Sequence, residues 1–135
     1  MFNSNLSNST AVSNSIAPEV SPIKVSFYNE NSLPKNSKLL GNSAKLGSFP
    51  LTLKAGKLTN FIVALVSAGK VGLTLNELAV VTYGKVERLS SLSVYFSYDL
   101  TRKGIKAAKL PNGNYVIVTR ETYSAADLRK IAGIN

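Results

Sequence analysis

The order of local folding signals between residues 57 and 119 constrains this chain more than any other feature of its sequence. Three segments with helical periodicity are followed by one hairpin signal. In the first segment, apolar side chains recur at the i, i+3, i+4, i+7 and i+8 spacing of an amphipathic helix, and they are Leu58, Phe61, Ile62, Leu65 and Val66. Thr59 is the candidate N-cap of this helix, and Gly69 is its predicted end.

The second segment opens with a capping box. The Thr74 hydroxyl can accept a hydrogen bond from the backbone N–H three residues on, while the Glu77 carboxylate reaches back to the N–H of Thr74. We predict a short helix from Leu75 to about Tyr83, and Gly84 permits a tight turn after it. The side chains that this helix is expected to bury are Leu75, Leu78 and Ala79.

The third segment predicts a longer helix, from about residue 86 to residue 103. Arg102 and Lys103 fall in its last turn, where cations complement the helix dipole. Gly104 then suits the left-handed residue that often follows a helix. The inner apolar stripe consists of Leu89, Leu92, Phe96 and Leu100.

A hairpin and a short final helix complete the series. Asn112 and Gly113 form the turn signal between two predicted strands, residues 105–110 and 115–119. After the hairpin, Ser124 can cap a short helix that ends at Gly133. The apolar residues of that helix are Leu128 and Ile131.

Composition changes near residue 48. Before that point Asn and Ser recur, helical periodicity is lacking, and prolines interrupt the chain at Pro18, Pro22 and Pro34. Such a stretch buries too little apolar area to offset its ordering entropy. We therefore predict an extended arm or linker over residues 1–48 and a folded domain over residues 49–135. Alternating residues allow short strands at residues 23–27 and at Phe49, Leu51 and Leu53.

Three stretches resemble the winged helix-turn-helix superfamily, and together they span roughly residues 57–119. Residues 72–79 (Gly-Leu-Thr-Leu-Asn-Glu-Leu-Ala) look like the entry to the helix-turn-helix. Residues 93–105 resemble the recognition helix and its exit, and residues 109–117 (Lys-Leu-Pro-Asn-Gly-Asn-Tyr-Val-Ile) resemble the wing. The resemblance implies an α+β fold of three helices and a β-hairpin wing, with an extended, largely irregular N-terminal arm and a short C-terminal helix.

The same resemblance implies a nucleic-acid surface on the third helix and the wing. In this superfamily the third helix enters the major groove, while basic residues beside it and on the wing meet phosphates. The inner stripe leaves Ser90, Ser91, Val94, Tyr98, Thr101 and Arg102 outward. The contact residues that the resemblance implies are Lys85, Arg88, Ser90, Ser91, Val94, Tyr95, Tyr98, Arg102, Lys106, Lys109 and Asn112.

Net charge and missing residue types narrow the function further. The net charge of +9 favours a polyanion partner, with DNA ahead of RNA. The chain has no cysteine and no histidine, which excludes thiol and imidazole chemistry and the common zinc sites. We therefore expect a non-enzymatic protein without catalytic residues, cofactor or metal. No apolar run approaches the roughly 20 residues of a membrane span, and no signal-peptide pattern is present, so we expect a cytoplasmic or nucleoid-associated protein, in the host cytoplasm if it is viral.

Two functions stay open. The first is a DNA-binding regulator or accessory factor. The second is a structural or adaptor subunit of a larger assembly, such as a viral one, with a homodimer or protein partner contacted by the arm. The second is favoured by the outward face at Ser90, Ser91 and Val94, which offers no side chain for a bidentate base contact. Four tyrosines are expected half-buried at a domain edge, with base stacking as the alternative: Tyr83, Tyr95, Tyr98 and Tyr115.

Overall fold

The computed structural model describes residues 25–41 and 54–134, and these residues form four helices and one three-stranded antiparallel sheet. The helices are α1 (Lys57–Ala68), α2 (Leu75–Tyr83), α3 and α4 (Ala125–Ile131), where α3 runs through Leu89–Val94, Tyr95–Asp99 and Leu100–Arg102. The strands are β1 (Lys38–Leu40), β2 (Lys106–Lys109) and β3 (Tyr115–Val118). This architecture confirms the α+β class expected from the sequence.

Helix α1 follows its predicted apolar stripe but not its predicted cap. Its buried residues are Phe61, Ile62, Leu65 and Val66, and Gly69 ends it as expected. The N-cap position is occupied by Gly56, without a side-chain hydrogen bond. Thr59 lies inside the first turn, where its hydroxyl donates to the Lys54 carbonyl. The prediction of Thr59 as N-cap is therefore wrong, because its hydroxyl bonds to the backbone locally instead of capping the helix.

Helix α2 begins with the predicted capping box. The N–H of Glu77 donates to the Thr74 hydroxyl at 3.1 Å, and the N–H of Thr74 donates to the Glu77 carboxylate at 2.8 Å. Gly84 takes up a left-handed conformation after the last helical residue, as expected for a tight turn. Leu78 and Ala79 are buried, whereas Leu75 is half-buried.

Helix α3 begins later than predicted and winds differently. Arg88 has a left-handed backbone (φ 53°), so the first helical residue is Leu89 and not the predicted residue 86. The stretch Tyr95–Asp99 is π-helical, which rotates the residues that follow it relative to a regular α-helix. Thr101, predicted to face outward, is instead buried against Gly41. The inner stripe is otherwise confirmed, with Leu92, Phe96 and Leu100 buried and Leu89 half-buried.

The sheet has the strand order β1-β2-β3. Strands β2 and β3 form the predicted hairpin, with Lys109 opposite Tyr115. On the other side of β2, strand β1 pairs antiparallel with it and places Lys38 opposite Lys109. Strand β1 comes from the stretch that its composition assigned to a largely irregular arm. The domain boundary at residue 48 stays a prediction.

The two faces of the sheet pack against different parts of the chain. Leu40, Ala107 and Ile117 belong to the main core, which the helices complete. The opposite face forms a second apolar cluster, and Tyr28 and Leu33 cover it. The buried members of this second cluster are Ala108, Leu110, Val116 and Val118. The hairpin is thus a central layer between the helices and residues 25–37, and does not project freely as a wing.

Polar contacts also hold residues 25–41 to the domain. The N–H of Glu30 donates to the Thr119 carbonyl at 3.0 Å, and the Glu30 carboxylate accepts from Arg120 at 3.1 Å. The Arg129 guanidinium donates to the Val25 carbonyl at 2.8 Å. Residues 25–27 form no strand, contrary to the alternation there. The strand predicted at Phe49, Leu51 and Leu53 lies outside the described residues.

Helix α4 packs at the edge of the main core. A second capping box starts it, because Ser124 and Asp127 each accept a hydrogen bond from the other's backbone N–H. Leu128 is buried in the main core, and Ile131 packs against that core while half-buried. The predicted cap and the predicted apolar residues of this helix are both confirmed.

Candidate nucleic-acid interface

One side of helix α3 faces away from the core. Ser90, Val94, Tyr98 and Arg102 follow one another at four-residue intervals along it, and all four are exposed. Ser91 is half-buried at its edge. The Arg102 guanidinium lies 5.1 Å from the centre of the Tyr98 ring, so the two side chains form a cation–π pair. The structure therefore brings five of the predicted contact residues onto one surface.

Two further predicted cations flank the turn before α3. The guanidinium of Arg88 lies 5.2 Å from the centre of the Tyr83 ring. Lys85 and Glu87 form an ion pair at 3.5 Å, in which the Lys85 side chain is 74% exposed. A pair this exposed contributes little energy, so it leaves Lys85 free to exchange Glu87 for another anion.

Tyr95 lies on the flank of α3 that faces α1. Its ring contacts the Phe61 ring edge-on, with centroids 5.0 Å apart. Burial raises the pKa of the Tyr95 hydroxyl, and the neighbouring Tyr83 and Asp99 raise it further, whereas Arg88 lowers it. Tyr83, Tyr95 and Tyr115 are half-buried as expected, whereas Tyr98 is exposed.

The hairpin presents two of its three predicted contact residues to solvent. Lys109 is exposed, and its ammonium group lies 5.8 Å from the centre of the Tyr115 ring. Asn112 is exposed at the turn, where its side-chain oxygen accepts from the N–H of Asn114 at 2.9 Å. Its amide group therefore stays available as a donor.

Lys106, the third predicted contact residue of the hairpin, does not lie on this surface. It is only 3% exposed, and its ammonium group donates to the carbonyls of Leu40 and Gly41 at 3.0 and 3.3 Å. Burial lowers the pKa of Lys106, Arg120 lowers it further, and Glu30 acts in the opposite direction. The sequence placed Lys106 on a free wing, and the structure corrects this because residues 25–41 cover that side of the sheet.

Lys38 is a cation that the sequence reasoning missed. It is exposed and stands directly opposite Lys109 in the β1–β2 ladder. Within residues 25–41 and 54–134 neither lysine has a carboxylate at ion-pair distance. No local signal could have revealed this pair, because the pairing of β1 with β2 is a tertiary contact.

A cavity opens between α3 and the sheet. Its volume is about 220 Å³, and its walls are mostly apolar. They include Leu40 of β1, the Phe96 ring and the Tyr115 ring, and the two rings stack with centroids 4.6 Å apart. Ser93 and Ser97 of α3 form its polar border.

Exposed apolar side chains are concentrated on α2, on α3 and in the turn between them. Most of the large apolar side chains exposed in the described residues belong to α2, α3 or the turn between them. Val86, in the turn, is 55% exposed, and the others are Val80, Val81, Val94 and Tyr98. Large apolar side chains exposed in one region of a protein are typical of an interaction surface.

Comparisons with known proteins add nothing to this geometry. No family model, curated protein or solved structure matches the chain. Among the described residues, no three or more acidic, histidine or cysteine side chains come together as a metal site would require. Nor does any described helix have the length and apolar character needed to cross a bilayer.

Proposed function

We propose that this chain is a non-enzymatic nucleic-acid-binding protein, with DNA as the preferred partner, that uses α3 and the neighbouring sheet edge as its contact surface. The observation that carries the proposal is the pairing of Lys38 with Lys109. Like charges directly opposite in a ladder destabilise a sheet, and the two lysines have no carboxylate to relieve them within the described residues. A phosphate group bound between the two ammonium groups would offset their repulsion.

Cations on aromatic rings support the same proposal. Arg88, Arg102 and Lys109 each lie over a tyrosine ring, and none of the three has a carboxylate at ion-pair distance in the part of the chain described. A ring orients a cation without cancelling its charge. The positive potential of these groups therefore remains available to attract phosphates.

The contact surface that we propose combines both elements. Lys38, Lys109 and Asn112 lie on the sheet and its turn, and they contact the phosphate backbone. Arg88 also has the strained left-handed backbone that is often found at functional sites. The remaining members are on α3 or just before it, and they are Lys85, Ser90, Ser91, Val94, Tyr95, Tyr98 and Arg102. Lys106 is omitted because it is buried.

Fluorescence anisotropy with random-sequence DNA tests the proposal. Counterion release requires that affinity fall steeply as salt rises from about 50 to about 200 mM. The double variant Lys38→Glu/Lys109→Glu is expected to lose at least about tenfold in affinity, and the salt slope should fall by about two. The matched control is Lys57→Glu/Lys130→Glu, which changes the net charge equally at two exposed lysines outside the surface. Equal losses in the two double variants would overturn the assignment of the surface, and no binding at low salt would overturn the function.

A second function is favoured by a separate observation, the exposed apolar side chains on α2, the turn and α3. Under this alternative the chain is a structural or adaptor subunit, and these side chains contact protein. Self-association is its simplest form, which sedimentation velocity over a range of concentrations would detect. The variant Val80→Ser/Val86→Ser should then shift the protein towards monomer, and a wild-type monomer at every concentration would remove this form of the alternative.

A further inference from the structure

The cavity between α3 and the sheet has the size and lining of a site for a planar ring. Voids larger than a water molecule are few in protein interiors, and an apolar cavity of about 150 Å³ is enough to hold benzene. This one has a volume of about 220 Å³, with the stacked Phe96 and Tyr115 rings among its walls. A cavity of this volume and lining suits a largely apolar group of about the size of an aromatic ring.

Positive charge lies beside the cavity. The ammonium group of Lys109 lies near the ring of Tyr115, which lines the cavity. Lys38 is paired with Lys109 and lies two residues before Leu40, another lining residue on the same face of the sheet. The site thus combines an apolar pocket with two cations, a combination that fits an aromatic ring attached to phosphate.

The two serines at the border of the cavity determine which hydrogen bonds such a ring can form. The Ser93 hydroxyl donates to the Ser90 carbonyl at 2.7 Å, and the Ser97 hydroxyl donates to the Ser93 carbonyl at 2.9 Å. Because their hydrogens are already committed, these hydroxyls offer a ligand only acceptor lone pairs. A nucleobase presents matching N–H donors on its Watson–Crick edge, but in a duplex that edge is occupied by base pairing.

We propose that the cavity takes one unpaired base of a single-stranded nucleic acid, while Lys38 and Lys109 bind the adjoining phosphates. This inference rests on the proposed nucleic-acid function and names the form of nucleic acid preferred. The base would exchange water for the aromatic and aliphatic walls, as in other proteins that bind unpaired bases. The strand would be held at its backbone by the sheet edge.

The test compares one fluorescein-labelled random-sequence DNA as a single strand and as a duplex, both by anisotropy with the full chain. Ser97→Leu should fill the cavity without removing a cation, and Ser93→Leu is a second variant if the first does not fold. Because stacking of one base is the interaction removed, we expect about a tenfold loss of single-strand affinity. Duplex affinity should change less than about twofold. The matched control is Asn60→Leu, which adds the same apolar side chain at an exposed position of α1.

The outcomes separate the two levels of the proposal. No binding of either DNA form, even at low salt, overturns the nucleic-acid function itself. Binding that is equal for single strand and duplex, and unchanged by filling the cavity, leaves that function standing and overturns the base site. Thymidine monophosphate added as a competitor distinguishes a strand from a free nucleotide. Displacement by the mononucleotide at the strand's own affinity would overturn the strand preference, whereas displacement only at a far higher concentration supports it.

Discussion

Lys106 and Lys109 stand at the two ends of strand β2 and have opposite surroundings. Lys106 is 3% exposed and bonds to the carbonyls of Leu40 and Gly41, whereas Lys109 is exposed beside Tyr115. The two lysines face opposite sides of the sheet because residues an odd number apart on a strand point in opposite directions. Residues 25–37 cover the side of the sheet on which Lys106 lies. The same residue type is therefore a structural group at one position and available to a ligand at the other.

The largest effect that this contrast predicts comes from removing each lysine in turn. Lys106→Ala leaves the carbonyls of Leu40 and Gly41 without their donor and opens a void, so we expect it to lower the free energy of unfolding by about 3 kcal/mol. Lys109→Ala, at an exposed position, should change it by less than about 0.5 kcal/mol. Urea unfolding followed by circular dichroism measures both. Similar costs for the two variants would show that residues 25–41 do not cover Lys106.

A pair of glycines tests how closely the end of β1 approaches α3. Gly41 and Gly113 both have positive φ, so alanine is strained at either position. A Cβ at Gly41 would lie 2.5 Å from the Thr101 hydroxyl, whereas one at Gly113 would meet nothing within 4 Å. We expect Gly41→Ala to cost about 2–3 kcal/mol and Gly113→Ala about 1 kcal/mol. Thermal unfolding of the two variants gives the difference, and equal losses would contradict the close approach.

The Tyr123 hydroxyl forms two buried hydrogen bonds to the backbone of the sheet, one to β2 and one to β3. It accepts from the N–H of Lys106 at 2.9 Å and donates to the Val118 carbonyl at 2.7 Å. Tyr123→Phe leaves both backbone groups short of a buried partner, and we expect it to lower the free energy of unfolding by about 2 kcal/mol at neutral pH. The exposed Tyr98→Phe should cost almost nothing and is the matched control.

The same tyrosine predicts how stability changes in alkali. Burial raises the pKa of the Tyr123 hydroxyl above its usual value of 10.0. Above pH 10 the unfolded chain therefore releases a proton that the folded chain retains, and stability falls with rising pH, by at most about 1.4 kcal/mol per pH unit from this group. Lys106, with its lowered pKa, acts in the opposite direction below its usual 10.5. Urea midpoints measured from pH 9 to 11 should fall less steeply in Tyr123→Phe than in Tyr98→Phe, and parallel curves would refute the assignment.

The smallest effects concern two ion pairs. Glu30 and Arg120 are less than one fifth exposed, whereas Lys85 is 74% exposed in its pair with Glu87. Solvent screens the exposed pair, so we expect Glu87→Gln to cost no more than about 0.3 kcal/mol. Glu30→Gln should cost about 1 kcal/mol because its partner is largely desolvated. If chemical denaturation gave the reverse order, the half-buried pair would not help to hold residues 25–41 in place.

The predictions from sequence that the structure confirms all rest on short-range sequence patterns. The exposed positions of Ser90, Val94, Tyr98 and Arg102 followed from the helical period of α3. The wrong predictions concern residues that are buried by contacts with a segment far away in the sequence. Thr101 and Lys106 were expected outside, and both are buried next to Gly41, which is about 60 positions away in the chain. The hydrophobic periodicity of a helix or strand shows which of its faces is apolar. It does not show which face another segment of the chain will cover.

Local sequence was sufficient for the two capping boxes, at Thr74 with Glu77 and at Ser124 with Asp127, and for the Asn-Gly hairpin. In each case the hydrogen-bonding groups are only a few residues apart in the sequence. The entropy cost of closing the loop between them is therefore small and does not depend on the rest of the fold. Tertiary structure alone decided the pairing of Lys38 with Lys109 and the burial of Lys106. Both depend on bringing β1 across the sheet from far along the chain, and the free energy of that step comes from the apolar area that residues 25–41 cover.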